Sequence, residues 1–588
     1  MDRKSVVILV ISFGLILLWP KLMNRLYPPP PKSTNSVTVA TNQLTTNVSA
    51  PTLSAATNET STVLKIENDA PEQLLVITNE NAFYTFTSHG GGLKLVELRK
   101  YRESIDCSKT NSDAGKHRLA TLNTKSPLPT LAVITGGSEN DSFNLTQTGD
   151  TVRAEKVLSN GIVVIKEFQV SSNYLIRAKV RMENRSAQNT ILPANEVVVG
   201  TATPMSSVKD ESLTMGTFWY NGAKAEHIQP AWFANKSFLS CVGMGGAPRL
   251  EYQDGMSNVV WAAVHNQFFA LAVMPREPAS KVMARQVQLP IEEGTVVEAK
   301  VLTHPNGIQT SLAYPSLMLA ANQGMERQYT IYAGPKEYNS LARIGDELKN
   351  DLDLVMDFGR YFGFFAKMLL LSMNGLHALG LTYGVAIIAI TVIIKLLFWP
   401  LTSASTKSMK RMQALQPQMK AIAEKYKDDP MKKNQKTMEF MKENKVSPLG
   451  GCLPMLLQIP VFIGFYQMIQ SAIELRGASF LWACDLSQAD TVAHIAGFPI
   501  NVLPLIYGVT LLWSAQLTPV SPGIDPAQQK MMKYMPVMFL LFLYKMAAGL
   551  TLYWTVQNLL TIAQMKLTST KAEPVGTVTV IPPKKRRQ

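Results

Sequence analysis

Two hydrophobic periods divide the chain. From residue 63 to 334 apolar positions recur every second residue. In "NYLIRAKVRMEN", Tyr174, Ile176, Ala178, Val180 and Met182 alternate with Arg177, Lys179, Arg181 and Glu183. "GIVVIKEFQV", "VVWAAVHNQFFALAV" and "RQYTIYAGP" repeat the pattern between Gly, Asn and Pro turns. Period two puts alternate side chains on one sheet face, so residues 63–345 are predicted as a large antiparallel β domain, a sandwich. It contains no run long enough to cross a bilayer as a helix.

After residue 352 the spacing becomes three and four. "DFGRYFGFFAKMLLLSMNGL" sets Phe358, Tyr361, Phe362, Phe365, Met368, Leu369 and Met373 opposite Arg360 and Lys367, which predicts an interfacial amphipathic helix over 352–378. Apolar runs at 381–399, 453–473, 499–517 and 531–567 read as spans. The last would make ~55 Å of helix against a hydrocarbon core of ~30 Å, so it is predicted as two spans broken within "KMAAGL" at 545–550. Near the start, Arg3 and Lys4 precede an apolar run, and "WPK" offers no small-x-small cleavage site. Residues 1–27 therefore read as an uncleaved anchor rather than a signal peptide. The Pro-rich, then Ser/Thr/Asn-rich stretch 28–62 cannot bury a core and reads as a disordered linker. The expected fold is a polytopic α-helical membrane protein of six spans carrying an all-β domain. Five of those spans form a core over 379–567.

Composition supports the mixture: 588 residues, 46% of them apolar, with a net charge of +14. The charge is unevenly placed. The 403–446 loop holds eleven Lys/Arg against five acids, the 474–494 loop is net acidic, and the tail 568–588 ends "KKRRQ". Positive loops stay in the cytoplasm, so the basic loop, the tail and the N-terminus are expected inside and the β domain outside. An even number of spans satisfies this.

Cys107, Cys241, Cys452 and Cys484 lie far apart without a CxxC and read as structural or incidental thiols, with Cys107 and Cys241 expected to be lone thiols in the outer domain. Histidine spacing suggests no metal site or catalytic dyad, and no GxxxxGK[ST] occurs. No metal, no cofactor and no enzymatic activity are expected.

The candidate chemistry is polar groups at membrane depth. Lys395 interrupts "GVAIIAITVIIKLLFWPLT", where a charge costs about 2.5–3.5 kcal/mol even on mild scales. Thr391 shares its face one turn earlier. Gln458 lies in "KVSPLGGCLPMLLQIPVFIGFYQMI" beside Pro454 and Pro460, and Tyr553, Gln557, Thr561 and Gln564 form a stripe bordered by Asn558. Such groups face a bundle interior or a wet cavity. Two plainer readings stay open. Lys395, about 7.5 Å of helix before Pro400, can snorkel to headgroups, and Gln458 can bond an adjacent backbone.

In the basic loop, Met409, Met412, Leu415, Met419, Ile422 and Tyr426 predict an amphipathic helix kinked at Pro417. Asp429-Pro430 starts a second helix with Met431, Met438 and Met441. The stripes cover each other, or they offer an adaptable surface to apolar partners; the readings are compatible. Met409, Met412, Met419, Met438 and Met441 are the candidate client contacts.

"SPLGGCLPMLLQIPVFIGFYQMI", "WPLT…SMKRMQALQPQMKAI" and "DPAQQKMMKYMPVMF…GLTLYWTVQNLLTIAQ" closely resemble the YidC/Oxa family of membrane protein insertases. "TSHGGGLKLVELRKY" and "YTIYAGPKEYNSL" extend the resemblance to the β domain. The resemblance implies a periplasmic β-sandwich and a core enclosing a hydrophilic groove open to the cytoplasm and lipid. Lys395 falls on the groove's positive position, where the family usually carries Arg; the charge is kept and the bidentate fork is lost. Thr391, Gln458, Tyr553, Gln557 and Asn558 fall on groove-lining positions. The implied function is a non-enzymatic insertase and chaperone that inserts, folds and helps assemble integral membrane proteins in the bacterial inner membrane. Implied partners are nascent membrane proteins, the Sec translocon, lipids, and the ribosome through the basic loop and tail. The rivals are a secondary transporter or channel, which lacks a legible repeat here, and a membrane-anchored carbohydrate-active enzyme, for which no carboxylate pair stands out.

Overall fold

The alternating run after Tyr174 is a strand. Leu175–Asn184 pairs antiparallel with Ile162–Val170 on one side and Gly324–Pro335 on the other. Its Ile176, Ala178, Val180 and Met182 are buried, while Arg177 and Lys179 face out. Each large apolar side chain so buried contributes about 1.5–3 kcal/mol, which fixes the register because a one-residue slip would expose them all.

The structure is a computed structural model that describes residues 70–105, 118–135, 142–158, 160–204, 214–235, 246–289, 306–359, 362–427, 429–444, 453–517, 534 and 537–567. The anchor 1–27, the linker 28–62, the tail 568–588, Cys107, Cys241, Cys452, "SPLGG" and the side chain of Met409 lie outside the described residues. The chain divides into a β unit ending at Asp357 and a helical unit.

In the β unit a nine-stranded antiparallel sheet packs against a five-stranded and a four-stranded sheet. Phe86, Phe168, Trp219, Phe269 and Leu271 fill the shared core, so this is a sandwich. The glycines of "TSHGGGLKL" have a physical role. Gly91 has φ +55 beneath the Phe143 ring, and a Cβ on Gly92 would lie 2.3 Å from the Thr130 carbonyl. The Gly90 carbonyl accepts a 2.6 Å hydrogen bond from the buried Lys166 ammonium, which also lies 4.4 Å from the centre of Phe143.

Helix α1 (Tyr338–Leu348) and a 3-10 turn (Leu352–Met356) close the unit. There His227 bridges two partners: Nδ1 lies 3.0 Å from Asp357 Oδ2, and Nε2 lies 2.9 Å from His265 Nε2. His265 Nδ1 faces the Asn266 carbonyl at 3.0 Å, so that nitrogen carries the ring proton. Burial, then the charges of Lys336 and His227, hold His265 well below the usual histidine range. Burial alone would raise Asp357, but its bond to His227 and the charges of His227 and Lys336 hold it below the ordinary value.

The helical unit departs from expectation in places. Helix α2 spans Gly363–Ala378; the predicted start at 352 is wrong because residues 352–356 are the 3-10 turn, and Asp357 and Gly359 take positive φ of 52° and 74°. Helix α3 is continuous over Tyr383–Ala414, 32 residues with Pro400 inside. The helix runs on through Pro400, which leaves the Leu396 carbonyl, one turn back, without its amide donor. Thr402 Oγ1 donates to the Phe398 carbonyl at 2.9 Å, and Gln564 Nε2 donates to that of Trp399 at 3.3 Å. The kink expected at Pro417 is a break at Leu415, with Pro417 in the first turn of α4 (Gln416–Lys425). Helix α5 (Pro430–Glu443) starts as predicted, Asp429 capping the Lys432 amide at 3.0 Å.

Helix α6 spans Leu453–Ser471 with Pro460 inside, and α7 spans Val502–Leu517. Residues 537–543 are helical, the chain turns at 544–547, and α8 spans Ala548–Leu567. Among the described residues α3 alone is long and apolar enough to cross a bilayer by length and composition; α7 is shorter.

Between α6 and α7 lie buried acids. Asp485 accepts from Gly477 N and Ser487 N, and Asp490 from Trp482 Nε1 and Leu503 N. Cys484 is disulfide-bonded, which corrects its reading as a structural or incidental thiol; the remaining three cysteines lie outside the described residues.

Candidate functional site

Helix α3 carries Lys395 on the side that meets α8, and the lysine is only 3% exposed. Its Nζ donates to Thr561 Oγ1 at 2.8 Å, and that hydroxyl donates to the Gln557 carbonyl one turn back at 2.7 Å. A hydroxyl has acceptor capacity left after donating, so one threonine can serve helix and ammonium together. No carboxylate lies beside Lys395 among the described residues. Its head is therefore turned into the helix packing, away from a snorkelling pose.

A small cavity of about 20 Å³ opens beside the ammonium, lined by Ile394, Lys395, Phe398, Thr402, Gln458, Val461, Tyr553 and Gln557. Four of the six predicted groove residues thus meet: Lys395, Gln458, Tyr553 and Gln557. Each comes from a helix whose apolar remainder fixes its rotation. The Tyr553 ring stacks on Phe465 of α6 at 4.1 Å, and its hydroxyl meets the Gln458 side chain. Gln557 Oε1 is buried and has no hydrogen-bond partner among the described residues. A cavity of this size with several polar walls has the volume and donors that a single water requires.

Thr391 and Asn558 do not line this cavity. Thr391 is buried, and its hydroxyl donates to the Ile387 carbonyl at 2.6 Å. Asn558 Nδ2 donates instead to Thr510 Oγ1 of α7 at 3.0 Å. Nothing in the sequence marked Thr510 as a partner, since a threonine in an apolar run commonly bonds its own helix.

Toward the end of α8 the polar contacts continue. Gln564 Nε2 reaches Thr402 Oγ1 at 2.6 Å and Ser403 Oγ at 3.1 Å, and Lys410 Nζ donates to the Met565 carbonyl at 3.2 Å. Thr561 and Gln564 of the α8 stripe thus meet α3, whereas Tyr553 meets α6. Thr402 and Ser403 were not singled out in the sequence, although they continue the Thr391–Lys395 face by helical spacing.

The methionine hairpin divides between the two readings. Met419 and Met441 are buried with Leu415 and Phe440, and Met412 packs against them. Met438 is 56% exposed on the same helix pair. Helices α4 and α5 therefore cover each other's stripes and still leave apolar surface outside.

Comparison with known proteins covers both units. Residues 74–371 match the family model described as the YidC periplasmic domain, and residues 375–574 match that of the 60Kd inner membrane protein. The membrane protein insertase YidC of Syntrophus aciditrophicus is 30% identical, covering 96% of this chain and 98% of its own. That of Oleidesulfovibrio alaskensis is 31% identical over the same shares. A crystal structure of an active YidC insertase with its first transmembrane domain resolved is 18% identical, covers 86% of this chain and 95% of its own, and has a TM-score of 0.34. On the strength of the family models and the near full-length relatives, the chain belongs to the YidC family.

Proposed function

We propose that this chain inserts integral membrane proteins into the bacterial inner membrane and assists their folding, alone or with a Sec translocon, without catalysing a covalent reaction. The observation that carries the reading is a lysine buried in a long apolar helix and held by a threonine of another, beside a cavity with glutamine and tyrosine walls. A charge at membrane depth without an acidic partner is costly, and it is kept where the site acts on something that arrives.

The mechanism is transfer through a polar path. An incoming segment brings polar flanks whose passage through hydrocarbon is costly. Hydrated polar walls shorten that passage, and Lys395 attracts acidic residues of the flank. The apolar part then leaves sideways into lipid, a gain of ~0.8 kcal/mol per CH₂ buried. Thr391 and Asn558 act as supports of the helices that carry this path. The exposed methionines of the hairpin receive apolar segments, and the basic loop and tail meet the ribosome.

The topology that suits this mechanism has six spans with both termini cytoplasmic and the β domain periplasmic. The charge asymmetry of the loops supports it, as does the disulfide at Cys484, since such bonds persist on the oxidising side. The test is photocrosslinking from positions 395 and 458 to a ribosome-held nascent membrane protein. Crosslinks that appear only while the segment is arriving support the reading, and their absence from a stable variant counts against it.

A further inference from the structure

Between α6 and α7 the chain forms a β-hairpin, Thr491–Ile495 with Phe498–Asn501, in a sheet of two strands. Its turn is Ala496-Gly497 with φ of 51° and 79°, the doubly positive pair of a type I′ turn. The base is pinned. Thr491 Oγ1 donates to Asn501 Oδ1 at 2.7 Å, Asn501 Nδ2 to the Tyr544 carbonyl at 2.6 Å, and Tyr544 Oη to the Pro499 carbonyl at 2.6 Å. Beyond the base Val492 and Ile495 are 51% and 66% exposed, and Phe498, whose ring lies 5.2 Å from that of Tyr544, is still 57% exposed. Leu481 and Trp482 of the preceding turn are exposed too, and Leu481 is held at φ +52, a strained conformation for a leucine.

An isolated two-stranded hairpin is marginal in water, and this one turns large apolar groups outward. Three observations say what covers it. The hairpin runs directly into α7, whose 16 residues give ~24 Å of helix against a hydrocarbon core of ~30 Å. From residue 491 to 524 the sequence has no Asp, Glu, Lys or Arg, and His494 is the one titratable side chain in the hairpin that leads into the helix. Trp482 keeps its indole N–H on Asp490 at 2.9 Å while its ring is exposed, the half-polar posture of interfacial tryptophans.

We propose that the hairpin, with Leu481 and Trp482, lies in the lipid interface of the periplasmic leaflet, extending the short α7 and anchoring the outer end of the helical unit. The occupant of the apolar face is lipid. The proposal rests on α7 being a span, as the proposed topology has it.

The test uses the full chain in vesicles of phosphatidylethanolamine and phosphatidylglycerol. An environment-sensitive fluorescent amino acid replaces Ile495, Val509 on the exposed face of α7, or the exposed Gln488, one position per sample. Nitroxide lipids labelled near the headgroup and aqueous iodide serve as quenchers. The expected result is that the Ile495 probe is quenched by nitroxide lipid at least about twofold more than the Gln488 probe, and by iodide about twofold less. If Val509 is quenched by lipid while Ile495 answers only to iodide, the hairpin is aqueous and the proposal is overturned with the span intact. Shielding of Ile495 from both quenchers overturns it too, by assigning the face to a protein. A Val509 probe open to iodide removes the span reading itself.

Discussion

The Lys395 ammonium donates to the Thr561 hydroxyl at 2.8 Å across 166 positions of sequence. This contact joins α3 to α8 at the level of the cavity. It also makes Thr561, which is one turn beyond Gln557, the residue that positions the site's only described charge.

Replacing Thr561 by Val keeps the shape and removes the acceptor. A hydrogen bond to a charged group contributes about 1.5–3 kcal/mol, so Thr561→Val should lower the thermal unfolding midpoint of the helical unit and weaken insertion. Thr561→Ser should restore both. Equal behaviour of Val and Ser variants in unfolding and insertion would show that the contact has no consequence.

The hairpin methionines should separate into two groups. Met419→Gln or Met441→Gln places an amide in the α4–α5 core without a partner, at a cost of about 1–3 kcal/mol, and should raise hydrogen exchange in both helices. Met438→Gln should leave exchange unchanged and reduce crosslinking to arriving apolar segments. Unaltered crosslinking by the Met438 variant would leave α4 and α5 as a self-contained hairpin.

Stability of the β unit should fall in acid. His265 has a folded pKa below its unfolded value, so below about pH 6.5 the unfolded chain binds the extra proton and unfolding is favoured. Asp357 acts in the same direction at lower pH, because a depressed carboxylate contributes above its unfolded pKa and loses that contribution as pH falls through the folded one. Urea midpoints of the full chain at pH 7.5 and 5.0 measure this. His265→Gln should flatten the difference between pH 7.5 and 5.0, and an undiminished slope in that variant would place its origin elsewhere.

The bridge at Cys484 is checked by counting thiols. The chain has four cysteines, so without reductant at most two should take a mass tag after denaturation. Reduction should expose the remainder. Labelling of Cys484 before reduction contradicts the bond.

What was legible in the sequence followed from short-range periodicity. The alternation at 175–184 became a strand with the predicted residues inside, and the excess length of 531–567 became a turn at 544–547. Helix ends were less legible. Pro400 reads as a stop, yet the helix that contains it runs on to Ala414. The start of α2 was misplaced since "DLVMDFG" is apolar enough for a helix, and only the positive φ at Asp357 and Gly359 breaks it. Of the site, the residue types were legible and the pairings were not: Lys395 with Thr561 and Asn558 with Thr510 join different helices, and no local spacing encodes them.

The most direct measurement is insertion by the Lys395→Met and Lys395→Arg variants of two clients that differ in one acidic residue of the translocated flank. Two opposite charges at 4 Å interact by ~4 kcal/mol at an effective dielectric of 20, enough to alter rates more than tenfold even when largely screened. Lys395→Met should therefore slow the acidic client about tenfold more than the neutral one, with the gap narrowing as salt is raised, and Lys395→Arg should behave like the unaltered chain. Equal and minor defects for both clients at low salt would contradict a role for Lys395 in drawing the flank across.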